Sequence, residues 1–306
     1  MSLPDPITFA IPAFVLLIII EVIIGKFAPK KSNYEARDSA ASLFMGLGNF
    51  AIGLINFGVI VAVSNWVYQF RLFELGYQWY AFILIFFAED FCYYWFHRWS
   101  HEHRIWWAAH INHHSSQYYN LSTALRQTWT GGFVGTWTPW LLLSLIGFPT
   151  PLIAFQKGIN LIYQFWIHTE AIHKMWRPFE FLFNTPSHHR VHHATNPKYL
   201  DANYAGALII WDRMFGTFVP EDDKEPCRYG IVKQIASFNP FIIAFHEWAG
   251  IFKDLGNAKS LKAAFYYLFG PPGWSEDGSR LTSHMIKEKE QSRKLALNQS
   301  DTALDV

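Results

Sequence analysis

The chain has 306 residues, 51% hydrophobic and 18% aromatic, with a formal net charge of +1 and 14 histidines beside 25 Lys and Arg. Charged residues make up only 16%, against about 25% in an ordinary soluble domain. That composition excludes a disordered chain, and the near-neutral balance offers no basic field for nucleic acid.

The two cysteines, Cys92 in an apolar run and Cys227 in a polar loop, with no CxxC, exclude a disulfide scaffold. Mean hydropathy is only +0.07. Together these values suit a protein part in lipid and part in water, with histidine set aside for chemistry.

The first apolar run, Ile7 to Ile24, has no Lys or Arg before it and no small-residue cleavage site after it. It therefore predicts an uncleaved transmembrane helix rather than a signal peptide. Lys26, Lys30, Lys31 and Arg37 follow, and the positive-inside rule places them in the cytoplasm. A second run, Ala40 to Val67, carries Gly46, Gly48, Gly53 and Gly58, small residues that let membrane helices approach closely. A loop from Arg71 to Gly76 then lies outside.

The third run, Trp79 to Trp95, returns to the cytoplasmic side and holds Glu89 and Asp90, which are costly in lipid and so candidates for function. A His-rich polar stretch, 97–128, precedes another apolar region, Trp129 to Ile167. Gly147-Phe148-Pro149-Thr150-Pro151 breaks that region into a membrane hairpin. Beyond residue 169 the chain is mixed and mostly polar, ending in a charged tail from Ser275.

The pattern predicts an all-α polytopic membrane bundle of four to five transmembrane helices with a cytoplasmic His-rich helical cap. Three parts follow: N-terminal transmembrane helices over 1–78, a catalytic domain with the histidine motifs over 79–220, and a cytoplasmic C-terminal segment with a polar tail over 221–306. On this topology every dense histidine cluster falls on the cytoplasmic side. A compact chain of this kind suits a bacterial inner membrane better than the endoplasmic reticulum.

The histidines are ordered. His97 and His101 are four apart and share a helical face. His110, His113 and His114 follow at i, i+3, i+4, and His189, His192 and His193 repeat that spacing. Such units turn imidazoles toward a common centre, and neutral imidazole suits zinc, copper, iron and nickel. Eight ligands exceed the four of a single structural zinc, so two ions are implied. His173, His103, His246 and His284 lack partner spacing and are expected to be ordinary.

HRWSH, HINHHSSQYYNLSTALRQ, FWIHTE, NTPSHHRVHHATNP and NYAGALIIWDRMFGTF, in this order over residues 80 to 220, resemble the fatty acid hydroxylase / sterol desaturase superfamily, and within it the branch that cleaves the ether bond of alkylglycerols. The resemblance implies a membrane-bound, non-haem di-iron monooxygenase that uses O2 to hydroxylate a C–H bond of a lipid. It assigns His97, His101, His110, His113, His114, His189, His192 and His193 as metal ligands, and adds His168 as the histidine between the second and last motifs. It implies two iron ions as cofactor, a lipid substrate from the bilayer, and a separate electron donor: a reductase, a cytochrome or a pterin such as tetrahydrobiopterin.

No catalytic group beyond the metal ligands is expected. A ligating imidazole needs an acceptor for its other N–H. The candidates are Asp90 on the face of His97, Glu170 beside His168, and His188, Asn203 and Asp212. Sterol C-4 methyl oxidase and lipid desaturase share these motifs and stand as alternatives. A His-rich metal transporter is the alternative of another class.

Overall fold

The computed structural model describes residues 3–28 and 32–304, with side chains to residue 297; Lys30 and Lys31 of the basic stretch lie outside the described residues. Among those described there is no strand, only an isolated bridge between Ala194 and Tyr229. The chain is all-helical, and both cysteines are free.

Helix α1, Pro6–Phe27, starts where Asp5 accepts the Ile7 N–H at 3.1 Å and Pro6 opens the first turn. Helix α2, Ala36–Tyr68, is capped by Glu35, which accepts the Asp38 N–H at 2.6 Å. These two helices are long and apolar enough to cross a membrane, and their Phe, Leu and Ile side chains are largely exposed.

The charged residues of both helices, Glu21 and Lys26 on α1 and Arg37 and Asp38 on α2, sit near the loop that joins them. Glu21 of α1 is buried, accepting from Tyr34 Oη at 2.5 Å, from the Leu121 N–H at 2.8 Å and from Thr169 Oγ1. Asp38 of α2 is buried against Arg126. These two helices are thus fastened to the rest of the protein by carboxylates near the loop that joins them. Gly46 and Gly48 of α2 do make close approaches, but to a loop: a Cβ would lie 2.8 Å from the Leu125 carbonyl oxygen and 2.4 Å from the Trp129 indole.

Helix α3, Trp79–Glu102, exposes Trp79, Ile83, Leu84 and Phe87 and buries Ala81, Ile85, Glu89 and Asp90 before reaching His97 and His101. The two acids are cross-links. Glu89 accepts from Trp140 Nε1 at 2.9 Å and Asn160 Nδ2 at 2.7 Å. Asp90 accepts from the Ala207 and Leu208 N–H groups and from Trp211 Nε1. Helix α4, Arg104–His114, follows after a break at His103.

The expected hairpin differs. Residues 129–137 form turns and Thr138–Trp140 a 3-10 turn, so the first arm contributes only α5, Leu141–Ile146, far short of a bilayer. Gly147 turns the chain at φ +127, where a Cβ would lie 2.0 Å from the Phe73 carbonyl oxygen, so only glycine fits. The second arm is α6, Thr150–Trp166.

Three short helices follow, α7 (Arg177–Leu182), α8 (Pro186–His192) and α9 (Ile210–Phe215). Helices α10, Pro240–Gly256, and α11, Leu261–Phe269, pack on α4 from outside, and α12, Ser283–Leu304, forms the tail as one long helix.

Candidate metal centre

The site collects the C-terminal ends of α3 and α4, His168 two residues past the end of α6, and α8 with His193 just beyond it. The nine expected histidines fall into two groups. His97, His101, His110, His114 and His192 form one; His113, His168, His189 and His193 form the other. Within each group one nitrogen per ring lies within 4.8 Å of all the others.

Helix geometry makes the division. At about 100° per residue, positions i and i+4 point nearly together while i+3 points to the side. In α4, His110 and His114 therefore enter the first group and His113 the second. In α8 the roles reverse: His189 and His193 enter the second group, and His192 crosses to the first. The groups adjoin, with the His114 and His193 rings stacked at 4.3 Å.

The Nε2 atoms approach one another closely: His97 to His110 at 3.0 Å, His114 to His110 at 3.1 Å, His192 to His114 at 3.2 Å, His189 to His168 at 3.0 Å. Ligands on one ion with bonds of about 2.1 Å sit roughly 3.0 to 3.4 Å apart, depending on geometry. The buried Nε2 atoms of His101 and His193 have no hydrogen-bond partner in the protein, which is costly unless an ion takes their lone pairs. Burial also drives His110, His114, His189, His192 and His193 well below the usual imidazole range, and His113 down to about 4. For these six rings burial favours the neutral form, the form a metal ligand requires. With nine imidazoles and no thiolate, the donor set fits two first-row ions.

The outward ring nitrogens are held by main-chain carbonyls. His97 Nδ1 lies 2.8 Å from the Tyr204 oxygen, His192 Nδ1 2.9 Å from Ala202, His168 Nδ1 2.7 Å from Gln164 and His113 Nδ1 3.3 Å from Arg126. Each carbonyl accepts the Nδ1 proton and leaves the Nε2 lone pair facing inward. Side-chain chemistry gives no hint of these acceptors, because every residue has a carbonyl.

The five other candidates are placed as follows. Asp90 directs its bonds to the 207–211 segment rather than to His97. Glu170 accepts from Tyr229 Oη at 3.0 Å rather than from His168. Asp212 accepts the Tyr204 N–H at 2.7 Å, the Ala205 N–H at 2.8 Å and the Thr217 hydroxyl at 2.6 Å. It thereby fixes the backbone whose Tyr204 oxygen receives His97. Burial raises its carboxyl to about 6.

Asn203 takes the left-handed conformation, φ +57, and its amide donates to the His188 and Val219 carbonyls at 3.0 and 2.8 Å. Asp201, at φ +46, also adopts it, a conformation Asp and Asn tolerate best among residues with a Cβ. The turn 201–204 aims alternate carbonyls at His192 and His97. His188 belongs to neither group; its Nε2 lies 3.6 Å from a Glu180 oxygen, and burial pushes its imidazole down to about 3.

Three further residues shape the site and carried no spacing signal. Asp201 Oδ1 lies 3.5 Å from His101 Nδ1. Trp107 packs on the His101 and His114 rings at 5.0 and 5.6 Å. Tyr119 stacks on His168 at 5.9 Å.

The family model for fatty acid hydroxylase matches residues 82–217. The chain is 40% identical over 285 residues to an alkylglycerol monooxygenase of Xenopus tropicalis, covering 92% of this chain and 62% of that protein. It is 38% identical over 289 residues to the human alkylglycerol monooxygenase, with the same coverage. An ornithine lipid hydroxylase, OlsE, of Rhizobium tropici is 28% identical over 152 residues, 48% of this chain and 44% of that one. The chain thus spans about three-fifths of the length of the alkylglycerol monooxygenases it matches. No solved structure matches.

Proposed function

Given that the chain carries a fatty acid hydroxylase domain and has alkylglycerol monooxygenases as relatives, we propose that it is a membrane-bound, non-haem di-iron monooxygenase acting on a C–H bond of a lipid, with the ether-linked carbon of an alkylglycerol as its target. The observation that carries this reading is the convergence of nine imidazoles, seven buried and two half-buried, into two adjoining groups.

His97, His101, His110, His114 and His192 would hold one iron, and His113, His168, His189 and His193 the other. Iron in such a site supplies the activation of O2 and the oxidation of an unactivated C–H bond. The carbonyls of Tyr204, Ala202, Gln164 and Arg126 keep the Nδ1 protons in place. The buried rings and the Trp107 and Tyr119 side chains exclude bulk water. Hydroxylation beside an ether oxygen yields a hemiacetal, which breaks to an aldehyde and a free glycerol hydroxyl. Electrons come from a separate donor, a reductase, a cytochrome or tetrahydrobiopterin.

Attachment of the cap to the Glu21 and Asp38 ends of α1 and α2, beside Lys26 and Arg37, supports a cytoplasmic site. In this reading residues 1–78 anchor the chain, 79–220 form the catalytic domain, and α3 with α6 add membrane-embedded helices to the two spans. Vertebrate and bacterial relatives alike remove the weight given to a bacterial inner membrane. The ether-lipid substrate stands ahead of sterol methyl oxidation and desaturation because the alkylglycerol monooxygenases match along 92% of the chain.

The test is purified protein, assayed for iron and incubated with alkylglycerols, sterols and fatty acids, O2 and a reductant, with products read by mass spectrometry. Two irons per chain and a fatty aldehyde from alkylglycerol are expected. A single zinc with no iron, or no lipid altered, overturns the proposal.

A further inference from the structure

Helices α10 and α11 lie in the segment expected to be cytoplasmic, yet their amphipathicity is turned inside out. On α10 the acids face the protein: Glu247 and Asp254 both bind Arg104, at 2.7 and 2.5 Å, and Asp254 also binds Arg280 at 2.7 Å. The outward stripe is Phe241, Ile242, Phe245 and Phe252, with Phe252 68% exposed. On α11, Leu261, Phe265 and Phe269 recur every four residues on one face, with Leu261 91% and Phe265 58% exposed. A helix in water would show the opposite arrangement, and seven large apolar side chains exposed on two adjacent helices, four on α10 and three on α11, exceed what scattered surface residues explain.

The patch continues the exposed face of a membrane span. The Phe241 ring lies 6.4 Å from Phe44 of α2, and Ile243 and Ala244 pack with Ala41 and Met45. Phe44 and its neighbours Leu43 and Leu47 are themselves exposed. Lys253, Lys259 and Lys262 stand exposed around the patch, as cations do where a helix lies among lipid headgroups.

We propose that α10 and α11 form an interfacial hairpin whose outward face is buried in lipid at the boundary between acyl chains and headgroups. Residues 240–269 would then be a third membrane-contacting element, clamped through Arg104 to α4, the helix that carries His110, His113 and His114. This goes beyond the oxygenase reading and holds whatever reaction the site performs.

Full-length protein with Cys92→Ala and Cys227→Ala, reconstituted in phosphatidylcholine vesicles, is given single nitroxide labels through Phe252→Cys and Phe265→Cys. Leu54→Cys on α2 and Asp223→Cys in the exposed 220–226 loop serve as controls. Electron paramagnetic resonance power saturation compares collision with O2, which dissolves in lipid, and with a water-soluble nickel chelate. Labels at 252 and 265 should follow the α2 control, with the O2-to-nickel ratio severalfold above that at 223. A ratio matching the 223 control overturns the proposal. So does poor access to both reagents, which would mean that protein covers the face. A water-like ratio at 54 would instead overturn the reading of α2 as a membrane span.

Discussion

The Nδ1 atom of His97 lies 2.8 Å from the main-chain oxygen of Tyr204, a residue 107 positions further along the chain. That bond fixes which imidazole nitrogen faces the centre. Tyr204 is held in turn by Asp212, which accepts its N–H at 2.7 Å. The orientation of a ring on α3 therefore depends on a carboxylate on α9.

Asp212→Asn should weaken this support. The amide keeps one oxygen acceptor and turns a donor toward an N–H group. Stability should fall by about 1–3 kcal/mol, and iron affinity by roughly 10-fold, the lower end for partners outside the ligand shell. Iron content after dialysis against a graded chelator, with thermal unfolding alongside, reads both. Unchanged metal retention would show that the Tyr204 carbonyl does not need Asp212.

Single ligand removals should separate the two groups. His168→Ala touches only the four-histidine group, and His110→Ala only the five-histidine group. Each is expected to halve the iron bound per chain while leaving the other ion in place, and each should abolish lipid oxidation. Equal, complete loss of iron from both variants would mean that the ions bind only as a unit.

Arg126 and Asp38 form a buried pair at 2.5 Å, with Ser42 and Ser115 completing the guanidinium's bonds. Removing one partner of a buried pair costs about 3–5 kcal/mol, because the other charge is stranded. Arg126→Met should therefore destabilise strongly, and Asp38→Leu combined with it should recover much of the loss. Denaturant unfolding in detergent checks this; additive losses would rule out the pairing as the cause.

Acid should destabilise the metal-free protein. Burial holds His110, His113, His114, His189, His192 and His193 below the value near 6.5 that they regain on unfolding. The unfolded chain thus binds more protons, and stability falls as pH drops below about 6.5, by up to about 1.4 kcal/mol per pH unit for each histidine. The unfolding midpoint of chelated protein should be clearly lower at pH 5.5 than at 7.5. A flat profile between these values would contradict neutral, buried imidazoles.

Much of this protein is local and therefore readable in its sequence. A largely apolar run about as long as the hydrocarbon core of a bilayer is thick, and imidazoles at i, i+3, i+4 on one helical turn, follow from the rise and turn of a helix, and the break at Gly147 from glycine's freedom at positive φ. Spacing and motif resemblance single out nine histidines, and these nine converge into the two groups. The hairpin arm at 129–146 was misread because hydropathy does not distinguish a lipid-spanning helix from apolar turns packed on α2 and α3.

Only the tertiary structure decided which histidine joins which group, because α4 and α8 face each other and each sends its middle histidine across. It also decided what holds the rings. The sequence directs attention to carboxylates such as Asp90 and Glu170, whereas main-chain carbonyls receive four of the Nδ1 atoms. A carbonyl's aim depends on backbone torsion, here the left-handed turn at Asp201 and Asn203, and torsion is settled by packing rather than by residue identity. The outward phenylalanines of α10 are of the same kind: their pattern is written in the sequence, but which face the protein buries is fixed by Arg104.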